Sequence, residues 1–182
     1  MSDTIVPAWK QVTPELRQEV MEFWLAEGAL DKPEAAAKRT EQVVCVGRDG
    51  DGAIWAVGTA FLGLLSTLGQ PTYFCRAFIA ARRRGTGGMM PFFRSMRDLL
   101  EDYNRGLPQP ESIGIMLELQ NEMLSKRYRL AYEPEADAYF IGYSPRGHQL
   151  RVVYFEGARL LLPPGAVQRP AAPAAGPTGS AA

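Results

Sequence analysis

The chain has 182 residues, 46% of them hydrophobic and 22% charged, which suits one domain with a sizeable core and excludes a disordered, collagen-like or disulfide-built protein. Lys plus Arg and Asp plus Glu both count 20, so no global field draws the protein to nucleic acid or to an anionic membrane. Apolar runs such as residues 53–65 contain Gly and Thr and fall well short of the roughly 20 residues of a membrane helix, so neither nucleic acid nor membrane is an expected partner.

The start, Met1-Ser2-Asp3-Thr4, lacks the basic end and apolar centre of a secretory signal. Thr13, Pro14 and Glu15 then read as an N-cap, a first-turn proline and an acid placed for the helix dipole. Leu16, Val20, Phe23 and Trp24 recur at helical spacing, predicting a first helix to about Gly28, and Asp31, Pro33 and Glu34 repeat the start signal for a short second one. Residues 43–46 are β-branched, 49–52 are Asp-Gly turn chemistry, and 53–65 form a long apolar run. With the turn at Gly69-Gln70-Pro71 and the aromatic stretch 73–80, they predict three successive antiparallel strands. Cys45 and Cys75 fall inside these strands without metal-ligand or disulfide spacing, so a reducing cytoplasm is the expected location and no metal is expected.

Met89, Phe92, Phe93, Met96, Leu99, Leu100 and Tyr103 lie on one face of the clearest helix in the chain. After a Gly- and Pro-containing loop, residues 112–120 alternate as a strand, 121–131 read helical, and 138–143 and 149–155 read as a hairpin around Ser144-Pro145-Arg146-Gly147. Residues 1–162 are expected to form a single domain. Pro, Ala, Gly and Ser dominate residues 163–182, which predicts a disordered tail.

Arg82-Arg83-Arg84-Gly85-Thr86-Gly87-Gly88 joins a strand to that helix. Glycines let backbone N–H groups approach a ligand where the helix dipole favours anions, and Pro91 confines the helix start to this point. Three arginines add charge suited to a pyrophosphate. Met89 and Met90 stand where a P-loop needs Lys and Ser/Thr, and Met90 where a dinucleotide fingerprint needs its third glycine.

The segment resembles the signature of the GNAT superfamily of N-acetyltransferases, Arg/Gln-x-x-Gly-x-Gly/Ala, through Arg82, Gly85 and Gly87. Asn121 and Tyr128 also keep the spacing of an asparagine and a tyrosine common in that family. The resemblance implies an α+β sandwich: a mixed, mostly antiparallel central sheet flanked by helices, in the order helices, β-meander, helix, strand, helix, hairpin. It further implies an acyl-CoA, acetyl-CoA foremost, as co-substrate, and an amine of a small molecule, peptide or protein as acceptor. The chain departs from the family at Ile79, where proline is common, and at Ala131-Tyr132, where Gly-Phe usually follows the tyrosine.

By this resemblance Arg82, Arg83, Arg84, Gly85, Thr86, Gly87 and Gly88 bind the coenzyme phosphates, and Asn121 bonds the pantetheine arm or simply caps its helix. A backbone N–H near Phe78 or Ile79 polarises the thioester, between splayed strands at 73–80 and 112–120. Tyr128 is the expected proton donor to the departing sulfur. Glu118 is the nearest carboxylate for a base, since Phe74, Cys75, Arg76 and Ala77 offer none. Arg76 meets either an acceptor carboxylate or, as expected here, a partner inside the fold. His148 is expected exposed in its turn, Cys75 in the core, and Trp24, Tyr139 and Tyr143 either in the acceptor pocket or in the core. The resemblance leaves a homodimer open, and the competing function is a non-catalytic acyl-CoA-binding or interaction module on the same scaffold.

Overall fold

A computed structural model describes residues 3–161. The chain runs β1 (Thr4–Pro7), α1 (Pro14–Ala26), α2 (Pro33–Thr40), β2 (Val43–Arg48), β3 (Ile54–Leu65) and β4 (Gln70–Ile79). After one 3₁₀ turn at Ala81–Arg83 come α3 (Met89–Gly106), β5 (Gly114–Leu119), α4 (Glu122–Arg127), β6 (Tyr132–Glu133), β7 (Ala138–Tyr143) and β8 (Gln149–Tyr154). The α+β arrangement expected from the sequence is present. The tail expected over 163–182 lies outside the described residues.

Eight strands form one sheet in the order β1-β2-β3-β4-β5-β8-β7-β6. All neighbours are antiparallel except β4 and β5, which run parallel because α3 carries the chain back across the sheet. Thr13 caps α1 by accepting a hydrogen bond from the Leu16 amide, as its sequence predicts. At α2 the N-cap is Lys32, which makes no side-chain bond, so the Asp31 signal is one residue out.

Three differences from the sequence reading have local causes. β1 is four residues with a terminal proline, too short to show a period, and is held as an edge strand against β2. β6 is only two residues long. α4 stops at Arg127, four residues before the expected end, because Arg151 takes the carbonyls of Tyr128 and Leu130 and turns the chain toward the hairpin.

The sheet divides the core into two layers. Phe92, Phe93, Met96 and Leu100 of α3 pack on Cys45, Ala56, Ala60, Tyr73, Cys75 and Ile115. On the other face Val20 and Trp24 of α1 and Ala36 of α2 pack on Val43, Val46 and Val57. Alternation along β4 therefore puts Cys75, Ala77 and Ile79 toward α3, and Phe74, Arg76 and Phe78 toward the α1/α2 face. In β5, Ile115 and Leu117 face α3 while Met116 and Glu118 face the other way.

Candidate functional site

β4 and β5 are joined at one end only. Asn104 of α3 donates from its amide to the Ser112 carbonyl and accepts from the Glu111 and Ser112 amides, and the Ser112 hydroxyl accepts from the Tyr73 amide at 3.2 Å. The Ile113 amide donates to the Pro71 carbonyl. Parallel pairing then covers Tyr73 with Ile115, Phe74 with Met116 and Cys75 with Leu117, and goes no further. Beyond it β4 follows β3 to Ile79 while β5 follows β8 to Leu119, so the two strands splay.

The hydrogen-bond parity of β4 decides which backbone groups face the gap. Ala80 donates to Trp55 of β3, so the even residues of this stretch turn their amides to β3. The amides of Ala77 and Ile79 therefore point into the gap and that of Phe78 does not. Of the two candidates for a backbone donor, Ile79 keeps that geometry, and Phe78 contributes its ring to the cavity instead.

The glycine segment lies at the open end. Gly85 and Gly87 have φ of 77° and 85°, and no atom lies within 4 Å of an added Cβ, so glycine is needed for backbone conformation and not for room. The Thr86 hydroxyl donates to the Arg83 carbonyl at 2.8 Å and closes the turn. Among the described residues the amides of Gly85 to Gly88 have no backbone acceptor, and Pro91 sits in the first turn of α3.

The arginines stand differently from the expectation of three free charges. Arg82 pairs with Asp49 at 3.0 Å, and Arg83 pairs with Asp3 and covers the Trp55 ring. Arg84 donates from Nε to the Ile79 carbonyl at 3.0 Å and lies over Phe78. Acids on the β2–β3 turn and before β1 neutralise the first two, so free amides and Arg84 dominate the loop's attraction for anions.

Solved structures of acetyltransferases share this overall fold. An acetyltransferase of the GNAT family from Streptococcus pneumoniae aligns with a TM-score of 0.57 at 11% identity, over 85% of this chain and 99% of that one. A GCN5-related N-acetyltransferase from Kribbella flavida aligns at 0.55 and 14% identity, over 85% of this chain and 98% of that one. The chain has the GNAT fold. No protein-family model and no curated protein matches its sequence.

In this GNAT fold a cavity of about 350 Å³ occupies the strand gap and is lined by residues from both faces of the sheet. Asn121 and Tyr128 line its α3 side together with Met89 and Met90. The Tyr128 hydroxyl approaches the Met90 sulfur at 3.8 Å, a weak contact that leaves it available as a donor. Burial, and then the charge of Glu135, push the phenol above its ordinary value, so it is protonated at neutral pH.

The Asn121 carbonyl oxygen accepts from the amides of Met123 at 2.8 Å and Leu124 at 3.3 Å, which makes it the N-cap of α4. Among the described residues its NH₂ group makes no hydrogen bond, and Asn121 lines the cavity, so capping does not exclude a ligand contact. Asn121→Ala is expected to cost about 1 kcal/mol of stability by loss of this cap, measured by urea denaturation.

Glu118 lines the cavity on the face away from α3, and its carboxylate lies 2.9 Å from His148 Nδ1. His148 is therefore a half-buried partner and not the exposed turn residue expected. Register explains the pairing: Glu118 faces Leu150 across β5 and β8, which brings the end of the 144–147 turn beside the carboxylate. Burial pushes the Glu118 carboxyl up, but hydrogen bonds from His148, Ser144 and Gln120 outweigh it and hold the group below the ordinary carboxylate range.

A carboxylate depressed in the folded state contributes stability that is complete above its unfolded value of about 4.5 and is lost as pH falls through the lower folded value. Between about pH 6 and about pH 3.5 the wild type is expected to lose more stability than Glu118→Gln in urea denaturation.

Cys75 also lines the cavity, but burial pushes its thiol far up, and it and Cys45 are buried and unpaired. Neither is a nucleophile. Trp24 reaches the cavity, whereas Tyr139 and Tyr143 are exposed on the outer strand of the hairpin and do not. Among the described residues no group of three or more His, Cys, Asp or Glu side chains is placed to hold a metal, and no helix is long and apolar enough to cross a membrane.

Proposed function

We propose that this protein is an acyl-CoA-dependent N-acyltransferase that moves an acetyl group from acetyl-CoA to an amine in a ternary complex. The observation that carries the reading is the one-ended pairing of β4 and β5, whose parted ends lead from a loop of free amides to Tyr128 and Glu118. When bound, acetyl-CoA supplies the acetyl group activated as a thioester.

The chain's own groups divide the work. The free amides of Gly85 to Gly88, with the α3 dipole and Arg84, hold the pyrophosphate, while Arg82, Arg83 and Thr86 brace the loop. The Asn121 NH₂ and the exposed backbone edge of Ala77 to Ile79 receive the amide groups of the pantetheine arm. The Ile79 N–H donates to the thioester oxygen as negative charge develops there. Tyr128 donates its proton to the departing sulfur. The acceptor enters from the α1/α2 face, where Glu118 accepts a hydrogen bond from its ammonium and, with His148 behind it, carries away the proton the amine must lose.

Much of the acceleration comes from holding amine and thioester together in one gap. Buried, unpaired Cys45 and Cys75 suit a reducing cytoplasm.

Thiol release from acetyl-CoA across a panel of amines, with mass detection of the acetylated product, tests the reading. Amine-dependent release supports it. Coenzyme binding without release for any amine would leave a non-catalytic acyl-CoA-binding module, the competing function.

A further inference from the structure

Three arginines line the cavity, Arg39, Arg76 and Arg151. Arg151 is fully engaged: it donates to the carbonyls of Tyr128 and Leu130 and to Gln149, and it stands 3.8 Å from Glu133. Arg39 and Arg76 are not. Among the described residues neither guanidinium has a hydrogen bond or an ion pair, although Arg82, Arg83 and Arg48 each find an acid. Among the described residues the partner expected for Arg76 is absent.

Both side chains line the cavity from the same face of the sheet. Arg76 projects from β4 to the α1/α2 face, next to Phe78 and opposite Thr59 on β3, and Arg39 comes from α2, which covers that face. They lie close enough that burial first, and then the Arg76 charge, lower the Arg39 guanidinium. Two like charges lining one largely apolar cavity repel, and with no carboxylate paired to either among the described residues they favour an anion from outside. Guanidinium forks match planar or tetrahedral oxyanions through paired N–H donors. Glu118, on the same face of the neighbouring strand, holds the opposite charge.

We propose that the acceptor is an amine that also carries an anionic oxygen group, a carboxylate or a phosphate, clasped by Arg39 and Arg76 while its ammonium faces Glu118. This rests on the acyltransferase reading for the direction from which the acceptor enters, but not for the anion site itself. The arrangement selects small zwitterions over simple amines and over lysine side chains within a protein, which bring no anion at that distance.

Saturation-transfer NMR on the CoA-loaded protein tests it with matched pairs: common amino acids against their C-terminal amides, and O-phosphoethanolamine against ethanolamine. The expected result is a clear signal from an anionic member and little from its neutral partner, the two anionic arms separating carboxylate from phosphate. Arg76→Gln and Arg39→Gln are each expected to weaken that binding about tenfold, while leaving acetyl-CoA affinity and thermal unfolding near wild type. Absence of any preference for the anionic members, or a preference that survives both substitutions, overturns the proposal. Acetyl-CoA affinity, measured on the same samples, reports separately on the coenzyme site. Its loss in the wild type would sink the acyltransferase reading without deciding the arginine pair.

Discussion

Replacing Gly87 with glutamate is expected to weaken acetyl-CoA binding about a hundredfold, read by calorimetric titration. Two effects add. Gly87 sits at a φ of 85°, where a side chain costs about 1–2 kcal/mol of backbone strain, so the loop shifts from the conformation that aims its amides outward. The new carboxylate then stands among amides that would otherwise meet phosphate oxygens, and like charges at that range cost several kcal/mol. Gly87→Ala separates the terms, because it carries the strain without the charge. Its expected loss is about tenfold. An added Cβ meets no atom within 4 Å, so neither variant is expected to disturb the core, and unfolding curves near wild type would check that. Equal affinity for wild type and Gly87→Glu would place the coenzyme elsewhere.

Tyr128→Phe is expected to lower turnover about a hundredfold, the usual contribution of a positioned acid, with acetyl-CoA affinity nearly unchanged. Among the described residues the phenol hydroxyl makes only the long contact to the Met90 sulfur, so losing it removes little structure. Its main-chain carbonyl, held by Arg151, is untouched by the substitution. A fall in kcat without a rise in the dissociation constant distinguishes proton donation from packing. A phenol pushed up by burial also predicts that activity persists to higher pH than a free tyrosine would allow, since the donor stays protonated there. If Tyr128→Phe turns over at the wild-type rate, the proton reaches the sulfur by another route.

The parts of this fold legible in the sequence are those whose signals are local. The α3 face repeats Phe92, Phe93, Met96 and Leu100 over many turns, and Gly85 and Gly87 mark a loop that requires positive φ, so both are visible in a short window. Asn121 and Tyr128 keep a fixed spacing along one short helix and arrive together at the cavity. What stayed hidden depends on pairing between distant strands. His148 meets Glu118 through β5–β8 register, and Arg39 approaches Arg76 only because α2 packs on the face of the sheet from which Arg76 projects. The acids that occupy Arg82 and Arg83 come from a turn and a terminal segment far away in the chain. β1 and β6 are held by their neighbours and carry too few residues to show a period.

The most direct measurement is a titration of the isotope-labelled protein with acetyl-CoA followed by amide NMR. The amides of Gly85 to Gly88, with Ala77, Ile79 and Asn121, are expected to shift together and saturate at one equivalent, while the Tyr139 and Tyr143 strand stays unmoved. No shifts at saturating acetyl-CoA, or shifts confined to residues outside the β4–β5 gap and the glycine loop, would contradict the account.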